Sequence, residues 1–254
     1  MASDGNGVFA ATGNYMQPRG HAATRDTTDS EEVVRLTGLA VLNRNNQNLY
    51  YASDWQNMDD DDADFGAINP MVISVPGSTP SSLVVAIAKD GHIHLLDAAN
   101  IGGPDGKTPL RNTQVSSGAM SIHTVPAAYK TATATYIALS TDSGAMCPTG
   151  QPSGKVVMGV KVTPGAPPTL NVAWCAAMSG TVVAPIATTT DGTAEAVVWY
   201  ISGGKLNAVD GDTGAVLYTS ADTCSTVTKW TSPIAASGRI VVGANDHLCS
   251  WSPH

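Results

Sequence analysis

Asn69-Pro70-Met71-Val72 sets a proline in front of a short apolar run, and the arrangement returns as Val125-Pro126-Ala127-Ala128, Ala184-Pro185-Ile186-Ala187 and Ser232-Pro233-Ile234-Ala235. The prolines stand 56, 59 and 48 residues apart, a period long enough for one four-stranded sheet with its loops. Outward from each proline comes a second β-rich run, at 83–88, 136–140, 196–201 and 239–243. Turns rich in Gly, Asn and Asp follow, among them Lys89-Asp90-Gly91, Ser202-Gly203-Gly204 and Asn245-Asp246, which supply the positive φ of tight hairpins. A third run occupies 92–96, 156–162, 205–209 and 247–251, and three units carry a more polar fourth at 111–116, 170–176 and 215–220. A polar fourth strand is what an outer edge facing water requires.

These units predict an all-β chain, a β-propeller of four-stranded antiparallel blades in which the proline-led runs are the innermost strands around a common axis. Before Pro70, the segments 7–12, 32–36 and 49–53 read as the second, third and fourth strands of a blade that lacks its first. The last unit ends after a third run. About 18 strands, or about 4.5 blades, are expected, in units at roughly 1–58, 59–118, 119–178, 179–222 and 223–254. No linker-like composition separates them, so a single propeller domain over 1–254 is the expectation. Such a chain would form an open arc or an incomplete five-bladed ring, with self-association through open blade edges as a further outcome.

Composition agrees with this class. In 254 residues there are 25 Gly and 15 Pro against only 13 Lys and Arg, which leaves little material for long amphipathic helices. The formal net charge of −8 argues against nucleic acid or an anionic membrane surface as a partner. No apolar run is long enough to span a bilayer. Met1 leads into Ala2-Ser3-Asp4-Gly5 without a leader pattern, and with the mid-blade start this reads as a fragment whose leader and early blades are absent. Of the possible cysteine pairings, Cys147–Cys175 and Cys224–Cys249 keep each bridge within one unit or its approach. The other reading is four buried free thiols. Bridges would place the full-length protein in an oxidising setting, secreted, periplasmic or cell-envelope.

The stretch Lys205-Leu206-Asn207-Ala208-Val209-Asp210-Gly211-Asp212-Thr213-Gly214-Ala215-Val216-Leu217-Tyr218 resembles the A-x-D-x-x-T-G-x-x-x-W signature of pyrroloquinoline-quinone (PQQ)-type propeller repeats, with Tyr218 at the tryptophan position. Asp54-Trp55, Asp62-Ala63-Asp64-Phe65-Gly66, Asn69-Pro70, Lys89-Asp90-Gly91 and the run from Leu95-Leu96-Asp97 to Ile101-Gly102-Gly103 resemble secreted bacterial quinoprotein-like propellers. The resemblance implies that Asp64 and Asn69 lie towards the top face. It is specific for fold and weak for activity, because the repeat serves dehydrogenases, sensor domains and scaffolds alike. The motif also has its own logic: the aspartate accepts turn N–H groups while the glycine takes the left-handed conformation. The aromatic four residues on then packs on the neighbouring blade.

Candidate chemistry is sparse. Asp59-Asp60-Asp61-Asp62-Ala63-Asp64 gathers hard oxygen donors, so Asp60, Asp62 and Asp64 could hold calcium, though the run lacks an EF-hand pattern and also reads as a hydrated loop. His92 and His94 fall on one face of a strand and could take copper or zinc, with His123 or His247 as further ligands. Against that, His123 precedes a proline on an innermost strand, whereas third strands lie farther out. Phosphate-loop and dinucleotide motifs are absent, as is a nucleophile pattern around Cys147. PQQ-dependent alcohol dehydrogenases carry adjacent cysteines over the cofactor, and no Cys-Cys pair occurs here.

Two functions follow. The first is a non-catalytic propeller of quinoprotein-like type that binds a protein, peptide or glycan on its loop-rich face, with no cofactor. The alternative is an oxidoreductase using PQQ or a bound metal, copper or calcium, with Asp64, Asn69, His123 and Trp230 as the ligand-facing residues near the axis.

Overall fold

The computed structural model describes residues 1–14, 30–38 and 41–252, which cluster into two compact units. The first is Met1–Gln114 with Pro164–Thr169, and the second is Val115–Thr163 with Leu170–His254.

In the first unit, β1 (Ala2–Ser3), β2 (Gly7–Ala11), β3 (Glu32–Thr37), β4 (Val41–Leu42) and β5 (Leu49–Tyr51) form one antiparallel sheet. β1 corrects the expectation of a missing first strand: Ala2 pairs with Phe9 and Ser3 with Val8. Two residues without a β-branched or aromatic side chain carry no strand signal, so the pairing is invisible in the sequence. The outer edge is a single strand interrupted by a loop. Leu36 pairs with Leu42 and, after the interruption, Val34 pairs with Leu49. The interrupting loop reaches to the next sheet, where the Gly102 N–H donates to the Asn46 carbonyl (2.8 Å) and the Asn46 side-chain amide to the Pro104 carbonyl (2.9 Å). A short helix, α1 (Trp55–Asp60), follows and buries Trp55 and Met58 on one side. The second sheet is β6 (Met71–Ser74), β7 (Ser82–Ile87), β8 (His92–Asp97) and β9 (Arg111–Gln114) in sequential order.

The second unit holds three sheets. β10 (Ala127–Lys130), β11 (Thr135–Thr141), β12 (Val156–Thr163) and β13 (Thr169–Ala177) form the first, and β14 (Ile186–Thr190), β15 (Ala194–Ser202), β16 (Lys205–Asp210) and β17 (Val216–Thr219) the second. β18 (Ile234–Ala236), β19 (Arg239–Gly243) and β20 (Leu248–Trp251) make a three-stranded sheet among the described residues. The described strands number 20, against about 18 expected.

Each of Pro70, Pro126, Pro185 and Pro233 immediately precedes the first strand of a sheet, a place where a missing N–H breaks no ladder bond. Within each unit the first strands of successive sheets are neighbours: β1 runs beside β6 in one, β10 beside β14 and β14 beside β18 in the other. Middle strands are covered on both faces. All of Thr135–Thr141 is buried, as is every residue of β7 but Ser82, whereas Arg111–Gln114 and Val216–Thr219 alternate between half-buried and exposed or are largely exposed. Continuous apolar runs in second strands are therefore the signature of stacked sheets.

The Asp210 corner behaves as its residues require. The Asp210 carboxylate accepts the N–H groups of Asp212 (3.1 Å) and Thr213 (2.8 Å) and the Thr213 hydroxyl (2.8 Å), and Gly214 adopts φ +72°. The preceding sheet docks on this corner. Trp174 Nε1 and the Tyr129 hydroxyl both donate to the Gly211 carbonyl, at 2.9 and 2.6 Å, so two aromatic residues bury their apolar bodies and still satisfy their polar tips.

Candidate functional site

In the first unit the aspartate run divides. Asp59 and Asp60 finish α1, while Asp62 and Asp64 lie beyond it on either side of Lys89, whose Nζ is 2.6 Å from Asp62 and 2.5 Å from Asp64. An ammonium thus occupies the space between the two carboxylates. Among the described residues Asp60, Asp62 and Asp64 are not gathered within metal-ligand distance. The hydrogen bond from Lys89 holds the Asp62 carboxyl below its ordinary range. Behind this pair Glu31 is fully buried, with Oε2 accepting the Phe65 N–H (3.2 Å) and Oε1 without a partner. Burial, with the Asp64 charge adding to it, pushes the Glu31 carboxyl up to about 8. Asn69 accepts the Met1 amino group at 2.9 Å.

The β8 histidines are engaged separately. His94 is buried, its Nδ1 2.6 Å from the Tyr50 hydroxyl, and packs edge-on to Phe65 at 4.9 Å between centroids. Burial pushes its pKa down to about 3, so it stays neutral. His92 is half-buried and pairs with Asp90 at 2.9 Å, a hydrogen bond that raises its pKa. His123 belongs to the other compact unit.

In the second unit the structure brings two predicted residues together. His123, 8% exposed, meets Trp230 edge to face, with ring centroids 5.8 Å apart and planes at 84°. Trp230 is 63% exposed and sits at φ +75°, a left-handed conformation that costs a bulky residue about 1–2 kcal/mol. Lys229 Nζ lies over its ring, 5.1 Å from the centroid, a cation–π contact. The same ammonium approaches Asp142 (3.7 Å), which also pairs with Lys155 (3.4 Å). The Asp142 N–H donates to the Ser121 carbonyl (2.8 Å), tying the group to the segment that carries His123. That segment also exposes Met120 and Val125.

No family model matches the sequence, and no curated protein does. Among solved structures, BamB from Moraxella catarrhalis matches with TM-score 0.52 and 17% identity over 89% of this chain. The fold is a β-propeller. The chain spans 57% of that BamB chain. The β-propeller domain of Cps50 (Swd1) from Myceliophteria thermophila is similar with TM-score 0.45 and 10% identity, over 90% of this chain and 63% of that one.

Both expected disulfides are present in the propeller, Cys147–Cys175 and Cys224–Cys249, each with Cα atoms 5.9 Å apart. A shallow cleft of about 360 Å³ between β14–β15 and β18–β19 is lined by Thr188, Trp199, Arg239 and Ile240, with Trp199 Nε1 already donating to the Thr188 hydroxyl. Sequence reasoning missed Lys89, Glu31, Lys229 and Asp142. Lys229-Trp230 was legible as an adjacent cation and aromatic; the other three take part only through partners far away in sequence.

Proposed function

We propose that this chain is a non-catalytic binding propeller of the quinoprotein-like repeat type that takes a protein or peptide segment on the surface around Trp230. The observation that carries the reading is Trp230 itself: a mostly exposed indole, held in a strained backbone conformation against a nearly buried His123. Folding alone gains little from such a residue, whereas a partner would bury it fully, and tryptophan with a neighbouring cation is the residue type that anchors interfaces. Lys229, Lys155 and Asp142 supply a polar rim, and the exposed Met120 and Val125 add apolar contact. A partner segment carrying an apolar side chain beside a carboxylate fits this surface. The two disulfides support an oxidising, secreted or envelope setting.

Peptides selected from a displayed library against the purified chain should lose at least about tenfold in affinity on Trp230→Ala, with little change in thermal midpoint. Selected peptides that bind wild type and Trp230→Ala equally overturn the reading. The absorption spectrum and metal content of the same preparation separate it from the oxidoreductase alternative: a quinone band or stoichiometric copper would favour catalysis.

A further inference from the structure

The Cys224–Cys249 bridge has a histidine aimed at it. His247 Nε2 lies 4.0 Å from Cys224 Sγ, and the ligand atoms of Cys224, His247 and Cys249 all fall within 4.8 Å of one another. Among the described residues this is the one such group of three, and no histidine among them stands so beside Cys147–Cys175. The other ring nitrogen is fixed as well. Nδ1 is 2.6 Å from the Asp246 carboxylate, and an ionised carboxylate only accepts, so Nδ1 carries a proton and Nε2, the nitrogen facing the sulfurs, is the one that can give a lone pair to a metal. A carboxylate that fixes one ring nitrogen and turns the other towards the ligand position is the arrangement of metal-binding histidines.

The ligands are also held independently of the S–S bond. The Cys224 N–H donates to the Gly204 carbonyl (2.7 Å), Val227 bridges to Ala244, and the Asn245 N–H reaches the Thr226 carbonyl (3.3 Å). Cys249 is paired with Val242 in the β19–β20 ladder. His247 stands two residues before Cys249, an offset that turns both side chains to one face of an extended segment.

We propose that reduction of Cys224–Cys249 converts this bridge into a metal site in which two thiolates and His247 Nε2 take one thiophilic divalent cation of the zinc class. A dithiol reductant supplies two electrons and two protons and leaves as its own disulfide, the S–S bond breaks, and both cysteines become thiols. The cation then displaces the two thiol protons to solvent, and water fills the fourth position. Tetrahedral zinc, with Zn–S about 2.3 Å and Zn–N about 2.0 Å, requires about 3.8 Å between sulfurs and about 3.5 Å from sulfur to nitrogen. Small side-chain movements meet that requirement. Thiolate donors with imidazole select zinc over calcium or magnesium.

The test is an anaerobic Co²⁺ titration of the full chain, oxidised and after phosphine reduction, followed by absorbance and far-UV circular dichroism. The oxidised chain should bind no Co²⁺ with a thiolate signature. The reduced chain should bind one, with thiolate-to-cobalt charge-transfer and tetrahedral d–d bands. His247→Ala, which leaves all four cysteines in place, should weaken binding at least about tenfold, and Asp246→Asn about tenfold. The proposal is overturned if the reduced chain shows no thiolate band, if His247→Ala binds as tightly as wild type, or if reduction abolishes the β-sheet signal.

Discussion

Glu31 is a carboxyl group that keeps its proton at neutral pH, and its surroundings explain the cost. It is fully buried, stands near Asp64, and leaves Oε1 without a hydrogen bond. Its ordinary value is 4.5 and its folded value about 8, so from pH 4.5 to 8 the unfolded chain loses a proton that the folded chain retains. Stability therefore falls as pH rises through that window, by up to about 1.4 kcal/mol per pH unit. Glu31→Gln keeps an oxygen for the Phe65 N–H and has no proton to lose. Its urea midpoint should exceed that of wild type at pH 8, and the difference should close towards pH 4.5. An equal gap at both pH values would mean that Glu31 does not titrate as described. How far such residues could be read from the sequence depended on distance along the chain. His123 and Trp230 each stand out in the sequence, but their ring contact does not, and the acidic run is visible while the lysine that fills it comes from the turn between β7 and β8. His247 and Cys249 stand out for separate reasons, although a spacing of two in an extended segment sets them on one face.

At the scale of the element, the Asp210 corner makes the strongest prediction. A methyl group on Gly214 would sit 2.8 Å from the Trp174 Cβ, at a backbone φ of +72°. Gly214→Ala thus combines left-handed strain with overpacking and should destabilise by roughly 2–4 kcal/mol, measurable as a lower urea midpoint with an unchanged m-value. Wild-type stability in that variant would show that the corner yields freely. Elements were legible wherever local chemistry and tertiary role coincide. Proline ahead of an apolar run, a buried second strand and a polar fourth strand each reflect one place in a stacked sheet, and the boundaries of β7, β11, β16 and β19 fall within two residues of the sequence reading. β1 and α1 escaped for the opposite reason. Ala2-Ser3 has no strand preference of its own, and 55–60 is too short and too acidic at its end to look helical.

At the scale of the whole molecule, the net charge of −8 and the sheet edges act against each other. The outer side of β20 has no strand partner among the described residues, and Leu248 on it is 74% exposed. An unguarded edge pairs with another, while like charge keeps copies apart at low ionic strength. Sedimentation velocity should therefore show association that grows with salt and is suppressed by Leu248→Lys; a monomer at every salt concentration would remove edge pairing as a route to assembly. In the first unit, the loop that interrupts the outer edge of the β1–β5 sheet joins it to the next sheet. There the 43–48 loop and the 100–106 loop hold each other largely through peptide groups, with the N–H of Gly102 reaching the Asn46 carbonyl (2.8 Å) and that of Ile101 reaching Gln47 (3.3 Å). Amides are common to every residue, yet where the two backbones touch the joint admits glycine alone: a Cβ on Gly102 would lie 2.1 Å from the Leu49 carbonyl oxygen and 2.5 Å from that of Asn46. Nor does it admit a change of length: one residue inserted or lost in either loop shifts every donor past its acceptor.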